Sequence, residues 1–275
     1  MAGPSRRHLK TLGASVRSAV RTARGRLPEW LGGRGPFIGV YPEFGAVPVT
    51  SYDHAGDNWV QLCIAEATRL RETDALDAWQ NKSRELEPIV VAIMATGETV
   101  RVVDFGGAIG FSYLLLKRRL GESVRVEYHV IDTPQICEAG RVFFAGDPAI
   151  SFHEDTTFLD SLPPGGLLTI ANALQYVADW TSELRGLLRF RPAYVLLTQL
   201  TAGSADGFAT LQRNIPGATL AHWIFSEQAV VDVVESMQYS LLYRGRCQND
   251  LNQIHHPKAL RIGQFRNLLF RATRG

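Results

Sequence analysis

The stretch Val-Val-Asp-Phe-Gly-Gly-Ala-Ile-Gly at residues 102–110 decides the fold, because an apolar strand there passes directly into a glycine-rich turn and a helix. Glycines let a ligand approach the backbone, and free N–H groups at a helix start attract carboxylates and phosphates. Asp104, at the end of the strand, can accept a hydrogen bond from an ammonium group. We therefore expect Asp104, Gly106, Gly107 and Gly110 to bind the amino-acid part of a cofactor, although a purely structural tight turn has the same pattern.

The glycine spacing differs from the dinucleotide-binding fingerprint Gly-x-Gly-x-x-Gly. Counted from Gly106, that fingerprint requires glycine at positions 108 and 111, where this chain has Ala108 and Phe111. The pattern therefore disfavours a nicotinamide-dependent oxidoreductase.

Asp132 follows the next predicted strand, 22 residues after Gly110. An acidic residue at about that distance from a glycine loop can accept hydrogen bonds from both ribose hydroxyls of a nucleoside. We expect Asp132 and the adjacent Thr133 to make this contact. The alternative is structural, since an Asp before Thr133-Pro134 also fits the N-cap of a helix.

Strand and helix patterns alternate from Val100 onward, which indicates an α/β fold with a mostly parallel sheet. Two terminal runs, Tyr239–Gly245 and Phe265–Arg271, have no helix between them, as expected for an antiparallel hairpin at the sheet edge. We predict a basic tail and a helical cap over residues 1–97, and a cofactor-binding domain over residues 98–275. The other predicted strands are Val100–Phe105, Val124–Ile131, Ile150–His153, Leu167–Ala171 and Tyr194–Leu200, and the predicted helices are Gly110–Leu120, Pro134–Phe144, Thr181–Phe190 and Ser226–Met237.

Polar residues follow two further predicted strands. Asp155 and Thr156, after the third strand, are expected to contact an adenine amino group. Asn172, at the end of the fourth strand, is expected to lie where the cofactor and the substrate meet. Because Pro-Pro-Tyr or Pro-Pro-Phe does not follow Asn172, the amino-group site of DNA adenine methyltransferases is missing.

Three blocks of the chain resemble a family of class I methyltransferases that use S-adenosylmethionine (SAM) and are often encoded among surface-polysaccharide genes. The blocks are Val102–Gly110, Leu174-Gln175-Tyr176, and Trp223-Ile224-Phe225-Ser226-Glu227. Weaker similarity extends the resemblance from about residue 40 to residue 250. It implies a Rossmann-like, seven-stranded methyltransferase sheet and SAM as the cofactor, bound by the glycine-loop residues and Asp132.

The chain departs from the family pattern in a loop that is expected to border the methyl acceptor. After the fifth strand the family carries Asp-Arg-Thr-Pro, whereas this chain has Thr198-Gln199-Leu200-Thr201. The loop is expected to border the acceptor, so the loss of charge puts the sugar substrate implied by the resemblance in doubt.

A hydroxyl acceptor benefits from a general base. Many small-molecule O-methyltransferases have a His just after the fourth strand, where this chain has Gln175, which cannot accept a proton usefully at neutral pH. We therefore select His54, His222 and Tyr176 as candidate catalytic residues, with His222 on a loop facing the acceptor. A surface or packing role is the alternative for each histidine.

The composition of the chain limits which classes of partner and which cellular compartment we expect. Residues 1–26 carry seven basic and no acidic residues, and the remaining chain has a net charge of −5, which does not favour nucleic-acid binding by the body of the protein. The three scattered cysteines give no disulfide or zinc pattern, no metal is expected, and a reducing cytoplasm is the expected compartment. No apolar run approaches the roughly 20 residues of a membrane span. A homodimer is left open, and the basic N-terminal helix is either a frayed tail or an element that binds anionic partners.

The sequence therefore predicts a SAM-dependent methyltransferase acting on a small molecule, with O-methylation of a glycan or secondary-metabolite hydroxyl in biosynthesis as the leading reaction. The alternatives are a methyltransferase-like scaffold that binds a partner, and an enzyme that uses SAM for a reaction other than methylation.

Overall fold

The structure is a computed structural model that describes residues 36–49, 57–72, 86–95, 97, 99–121, 124–213, 219–247, 253 and 255–273. The chain divides into the units Met1–Gly35 and Pro36–Gly275, and the second contains all of these residues. The basic segment 1–26 and His54 lie outside the described residues. The boundary proposed at residue 97 remains a prediction.

The main sheet has seven strands in the spatial order β10-β11-β6-β5-β2-β3-β4. Neighbouring strands run parallel, except that β11 is antiparallel to both β10 and β6. The predicted seven-stranded class I methyltransferase sheet with its terminal hairpin is therefore confirmed. Its strands are β2 (Val100–Phe105), β3 (Val126–Ile131), β4 (Ile150–His153), β5 (Leu167–Ala171), β6 (Tyr194–Leu200), β10 (Tyr239–Cys247) and β11 (Phe265–Ala272).

Helices cover both faces of this sheet, because its strands carry apolar side chains on both sides. One core joins Val102 and Tyr128 of the sheet to α2 and α3. The other joins Val103 and Leu197 to α5 and α6. The described helices are α1 (Asp57–Glu72), α2 (Leu86–Met94), α3 (Phe111–Leu120), α4 (Pro134–Phe143), α5 (Trp180–Leu187) and α6 (Glu227–Ser236).

A second sheet of four strands, in the order β1-β8-β9-β7, was not predicted. It joins a strand near the start of the described chain to three strands inserted between β6 and α6. Almost every residue of β8 and β9 is buried, so the polar–apolar alternation of a half-exposed strand is missing. The strands are β1 (Phe37–Tyr41), β7 (Ala202–Gly203), β8 (Phe208–Gln212) and β9 (Leu220–Ser226).

This small sheet corrects one sequence-based expectation. His222 was predicted on a loop, but it lies in β9, where it pairs with Thr210 of β8, and its side chain is 1% exposed. The surrounding sequence is apolar on both faces of the strand, so local patterning alone did not separate a buried strand from a loop before a helix.

Helix ends follow ordinary capping rules. Pro134 occupies the first turn of α4, a position where its missing N–H costs nothing. The Asp179 carboxylate accepts the backbone N–H of Ser182 at 3.1 Å and caps α5. The helix predicted over Thr181–Phe190 is α-helical as far as Leu187 and continues as a 3₁₀ turn at Leu188–Phe190. No helix in the described part of the chain is both long enough and apolar enough to cross a membrane.

Candidate cofactor and acceptor site

The glycine loop, residues 106–110, joins β2 to α3 at the carboxyl edge of the main sheet. Gly106 has φ +68°, and a Cβ on it would lie 2.3 Å from the Cβ of Ala173, just after β5. Gly110 has φ +86°, and a Cβ there would lie 2.8 Å from the side chain of Ile150. Both ends of the loop therefore require glycine, and the first end lies directly against the segment that follows β5.

Asp104 lies beneath this loop and is 1% exposed. Its Oδ2 accepts a hydrogen bond from the Tyr128 hydroxyl at 2.7 Å, while Oδ1 has no hydrogen-bond partner among the described residues. Burial raises the pKa of Asp104 to about 7, against the opposing effect of the Tyr128 hydrogen bond and, more weakly, of the nearby Ser112 side chain. A buried carboxylate with an oxygen to spare is suited to a cationic partner such as an ammonium group.

Asp132 links the ends of β2 and β3. Its Oδ2 accepts the backbone N–H of Ala108 at 2.9 Å, and its Oδ1 accepts the backbone N–H of Thr133 at 2.7 Å. Each oxygen keeps a lone pair for a further donor, which fits the two hydroxyls of a ribose. The N-cap residue of α4 is Thr133, so Asp132 is not itself the N-cap that the structural alternative supposed.

Helix α1 packs on the outside of the glycine loop. Its Cys63 and Ala67 are buried together with Ala108, Ile109 and Ile136. Burial, and secondly the charge of Asp132, raise the pKa of the Cys63 thiol to about 12. Cys63 is therefore a neutral packing residue beside the loop and not a thiolate nucleophile at neutral pH.

Asp155 and Thr156 follow β4 and lie on the surface turn that the sequence indicated. Asp155 is exposed, and its Oδ1 accepts the hydroxyl of Thr157 at 2.5 Å and its backbone N–H at 2.8 Å. These hydrogen bonds lower the pKa of Asp155. The turn stands at the same edge of the sheet as Asp132, and the adenine contact remains a prediction.

Two histidines on neighbouring strands meet beside this turn. Ser151 Oγ lies 2.8 Å from His129 Nδ1 and 2.9 Å from His153 Nε2, and the His153 ring stacks on Phe158 at 3.5 Å between centroids. Burial lowers the pKa of His129, and burial followed by the proximity of His129 lowers that of His153 to about 4. Both rings are neutral at physiological pH. Among the described residues no cluster of three or more His, Cys, Asp or Glu side chains suits a metal ion.

Asn172 directly follows β5, at the part of the site where we expect the substrate. Its backbone is left-handed, with φ +56°, and its residue surface is exposed. Its Oδ1 accepts a hydrogen bond from Nε2 of Gln175 at 2.5 Å, and Gln175 is completely buried. The same Nε2 lies 3.4 Å from the backbone oxygen of Gln199 at the end of β6. The ends of two neighbouring strands are thus joined through one buried amide.

His222 and Tyr176 lie where the small sheet covers the turn after β5. Their rings are 5.1 Å apart at 76°, and the Tyr176 hydroxyl donates to Gln212 Oε1 at 2.9 Å. The Thr201 hydroxyl donates to the backbone oxygen of Trp223 at 2.8 Å and lies 3.1 Å from His222 Nε2. Since the single Thr201 proton is already used, His222 Nε2 carries the proton of this contact.

The structure thus brings Asp104, the glycine loop, Asp132 and Asn172 together at one edge of the main sheet, and His222 and Tyr176 lie against each other beside the small sheet. Four polar residues of this region were not anticipated as partners: Gln175, Gln199, Gln212 and Asn267. Glutamines and asparagines in apolar stretches were the one sequence signal, because a buried amide requires partners.

No protein-family model matches the chain, and no curated protein is similar to it in sequence. Among solved structures, it is similar to 1,6-didemethyltoxoflavin-N1-methyltransferase of Burkholderia thailandensis, with 10% identity over 82% of this chain and 94% of that chain and a TM-score of 0.49. The magnesium protoporphyrin IX methyltransferase of Synechocystis with bound S-adenosylhomocysteine (SAH) has 13% identity, coverage of 81% and 90%, and a TM-score of 0.43. A SAM-dependent methyltransferase of Clostridium acetobutylicum has 9% identity, coverage of 77% and 100%, and a TM-score of 0.46. These values describe a distant likeness of chain trace, and the function proposed below rests on the residues of this chain.

Proposed function

We propose that this protein is a SAM-dependent methyltransferase that methylates a hydroxyl group of a small molecule. One observation carries the proposal: the Ala108 N–H donates to the Asp132 carboxylate at 2.9 Å and so joins the glycine loop to an acidic side chain at the ends of β2 and β3. That pair suits the amino-acid and ribose groups of one ligand. The order of the main sheet supports it.

The chain provides a defined place for each part of SAM. Asp104 Oδ1 and the backbone of residues 106–110 would hold the ammonium and carboxylate groups, and Asp132 would hold the ribose hydroxyls, with Thr133, Asp155 and Thr156 toward the adenine. The buried carboxylate oxygen of Asp104 and the close approach of Gly106 to Ala173 fit such a ligand. When bound, SAM supplies an electrophilic methyl group on a sulfonium.

The contribution of the protein to the reaction is alignment. An in-line displacement requires the acceptor oxygen about 3 Å from the methyl carbon, with water kept away. Asn172 and Gln175 stand at the strand end next to the glycine loop, and α1 and the small sheet cover the two sides. His222, Tyr176 and His54 remain candidates for receiving the acceptor proton, and His222 is buried with its ring centroid 5.1 Å from that of Tyr176.

We propose a neutral, polar small molecule as the acceptor. Of the amide and hydroxyl side chains at the ends of β5 and β6, Asn172 is exposed, whereas Gln175, Thr198, Gln199 and Thr201 are buried. The exposed Asn172 amide can hydrogen-bond to a glycan or secondary-metabolite hydroxyl.

Isothermal titration calorimetry tests the proposal. We expect SAM and SAH to bind with micromolar Kd values, and Asp132→Ala to weaken both at least about 30-fold, because the hydroxyl contacts and the Ala108 anchor are lost together. The matched control, Asp160→Ala, removes an exposed carboxylate on the 3₁₀ turn Thr157–Ser161 and should leave both Kd values unchanged. No heat with either ligand would refute the proposal.

A further inference from the structure

The contacts behind Asn172 favour one orientation of its amide, although that orientation leaves Gln175 Oε1 buried without a hydrogen-bond partner among the described residues. The backbone oxygen of Gln199 can only accept hydrogen bonds, so the buried Gln175 must turn its NH₂ group toward it, at 3.4 Å. Rotating the Gln175 amide would place its oxygen against this oxygen. The same NH₂ group then also faces Asn172, at 2.5 Å, so Asn172 must present its oxygen to Gln175.

The Gln199 oxygen that sets this orientation is itself held in place. Gln199 has a left-handed backbone, with φ +53°, at the last-but-one residue of β6. Its N–H donates to the Asn267 side chain of β11 at 2.9 Å, and both residues are buried. Two non-glycine residues with left-handed backbones, Asn172 and Gln199, thus stand at adjacent strand ends, a kind of strain that persists where the surrounding structure fixes it.

The consequence is that Asn172 directs its Nδ2, with two N–H donors, away from Gln175 and toward its exposed side. Ala173, the next residue, is the one that would clash with a Cβ on Gly106. The Asn172 amide therefore lies beside the start of the glycine loop, at the end of β5, and β2 with Asp104 separates it from the ribose place at the end of β3. On the proposed function, this is where the sulfonium and the acceptor atom meet.

We propose that Gln175 is a positioning residue that makes Asn172 a hydrogen-bond donor at the reacting centre, and that this selects oxygen acceptors over amines. This inference rests on the proposed function. A hydroxyl oxygen has two lone pairs, so it can accept a hydrogen bond from Asn172 with one and attack with the other. A neutral amine has a single lone pair, and a donor that occupies it removes the nucleophile.

The transfer step balances without another reagent. The unused lone pair of the acceptor oxygen forms the new C–O bond, the C–S bond breaks with its electrons passing to sulfur, and the hydroxyl proton leaves to water or to a basic side chain. The N–H of Asn172 stays on its nitrogen throughout and serves only to orient the oxygen.

Two cofactor analogues test the orientation without a known acceptor. Sinefungin carries an amine-bearing carbon, protonated at neutral pH, in place of the methylated sulfur, and SAH has no group there. Calorimetry should show that the wild type binds sinefungin no more tightly than SAH, because the Asn172 donor opposes the ammonium.

A double-mutant cycle then isolates the role of Gln175. In Gln175→Leu the Asn172 amide is free to turn its oxygen to the ammonium, so the ratio of Kd(SAH) to Kd(sinefungin) should rise at least threefold. In the Asn172→Ala background the same change should leave the ratio unaltered. Gln175→Met, which keeps the length of the side chain, should repeat the result of Leu and provides a second variant if Leu impairs folding.

The outcomes are distinct. If the wild type binds neither analogue, the proposed function fails and this inference with it. If both bind but sinefungin binds the wild type more tightly than SAH, or if neither Gln175 variant moves the ratio, the inference alone is overturned. A merely structural Gln175 would weaken both analogues equally and leave the ratio constant.

Discussion

The proposed cofactor half and the proposed acceptor half of the site consist of different kinds of chemical group. The cofactor half consists of backbone N–H groups and two carboxylates, Asp104 and Asp132, at the ends of adjacent parallel strands. The acceptor half consists of neutral amides and hydroxyls, held in place by contacts between the main sheet and the small sheet. Charge is therefore concentrated where we propose that a zwitterionic, ribose-bearing molecule binds, while the proposed acceptor half relies on the orientation of neutral groups.

Gly106 gives the largest expected effect on the cofactor half. In Gly106→Val, a β-branched side chain would have to adopt φ +68° and overlap Ala173, so SAH affinity should fall more than about 100-fold and the protein should lose about 3 kcal/mol of stability. Calorimetry and thermal unfolding measure both.

The matched control is Gly186→Ala in α5, where a Cβ meets nothing within 4 Å. It should leave SAH binding unchanged and stabilise the helix by about 0.5–1 kcal/mol. Equal effects of the two substitutions would contradict the close approach of the loop to Ala173.

Asp104 gives the next effect, and it depends on pH. Because the folded pKa of about 7 lies above the unfolded value of 3.8, the folded state binds more protons between these values, and stability falls as the pH rises through that window, by up to about 4 kcal/mol. Asp104→Asn should therefore raise the Tm at pH 8 and leave it nearly unchanged at pH 4. The same variant should weaken SAH binding at pH 8 about tenfold, since the ammonium loses its carboxylate.

Asp232→Asn is the control for this experiment, because Asp232 is an exposed carboxylate on α6. It should leave both the Tm at pH 8 and SAH binding unchanged. A lower Tm for Asp104→Asn at pH 8 would mean that the buried carboxylate is compensated in the folded protein and that its raised pKa is wrong.

The substitution of Tyr176 is expected to have the smallest effect. It tests whether the acceptor half of the site can change without changing cofactor binding. Tyr176→Phe removes the 2.9 Å hydrogen bond to Gln212 of the small sheet, which should cost about 1 kcal/mol, while the SAH Kd stays within twofold of the wild type. Tyr243→Phe, on the exposed side of β10, should change neither quantity. A tenfold loss of SAH affinity in Tyr176→Phe would show that the two halves are not independent.

Sequence patterns predicted the cofactor half because its signals are local. The glycine loop and Asp132 lie within one β-α-β unit, so the number of residues between them predicts that they are close in the folded protein. The acceptor half depends on long-range pairing that no local pattern records. Phe37 pairs with Gln212, and Gln199 contacts Asn267 of β11. Its type as an amide shows that Gln175 is unsuited to be a base, but the contact that orients it, with the Gln199 oxygen, exists only in the folded chain.

A crystal structure of the protein grown with SAH would show where the cofactor lies relative to Asp132, Asp104 and Asn172. We expect the ribose hydroxyls within hydrogen-bond distance of Asp132, the ammonium group at Asp104 Oδ1, and the sulfur beside Asn172 at the boundary between the two halves. SAH bound elsewhere, or bound with its sulfur turned away from Asn172, would contradict the account.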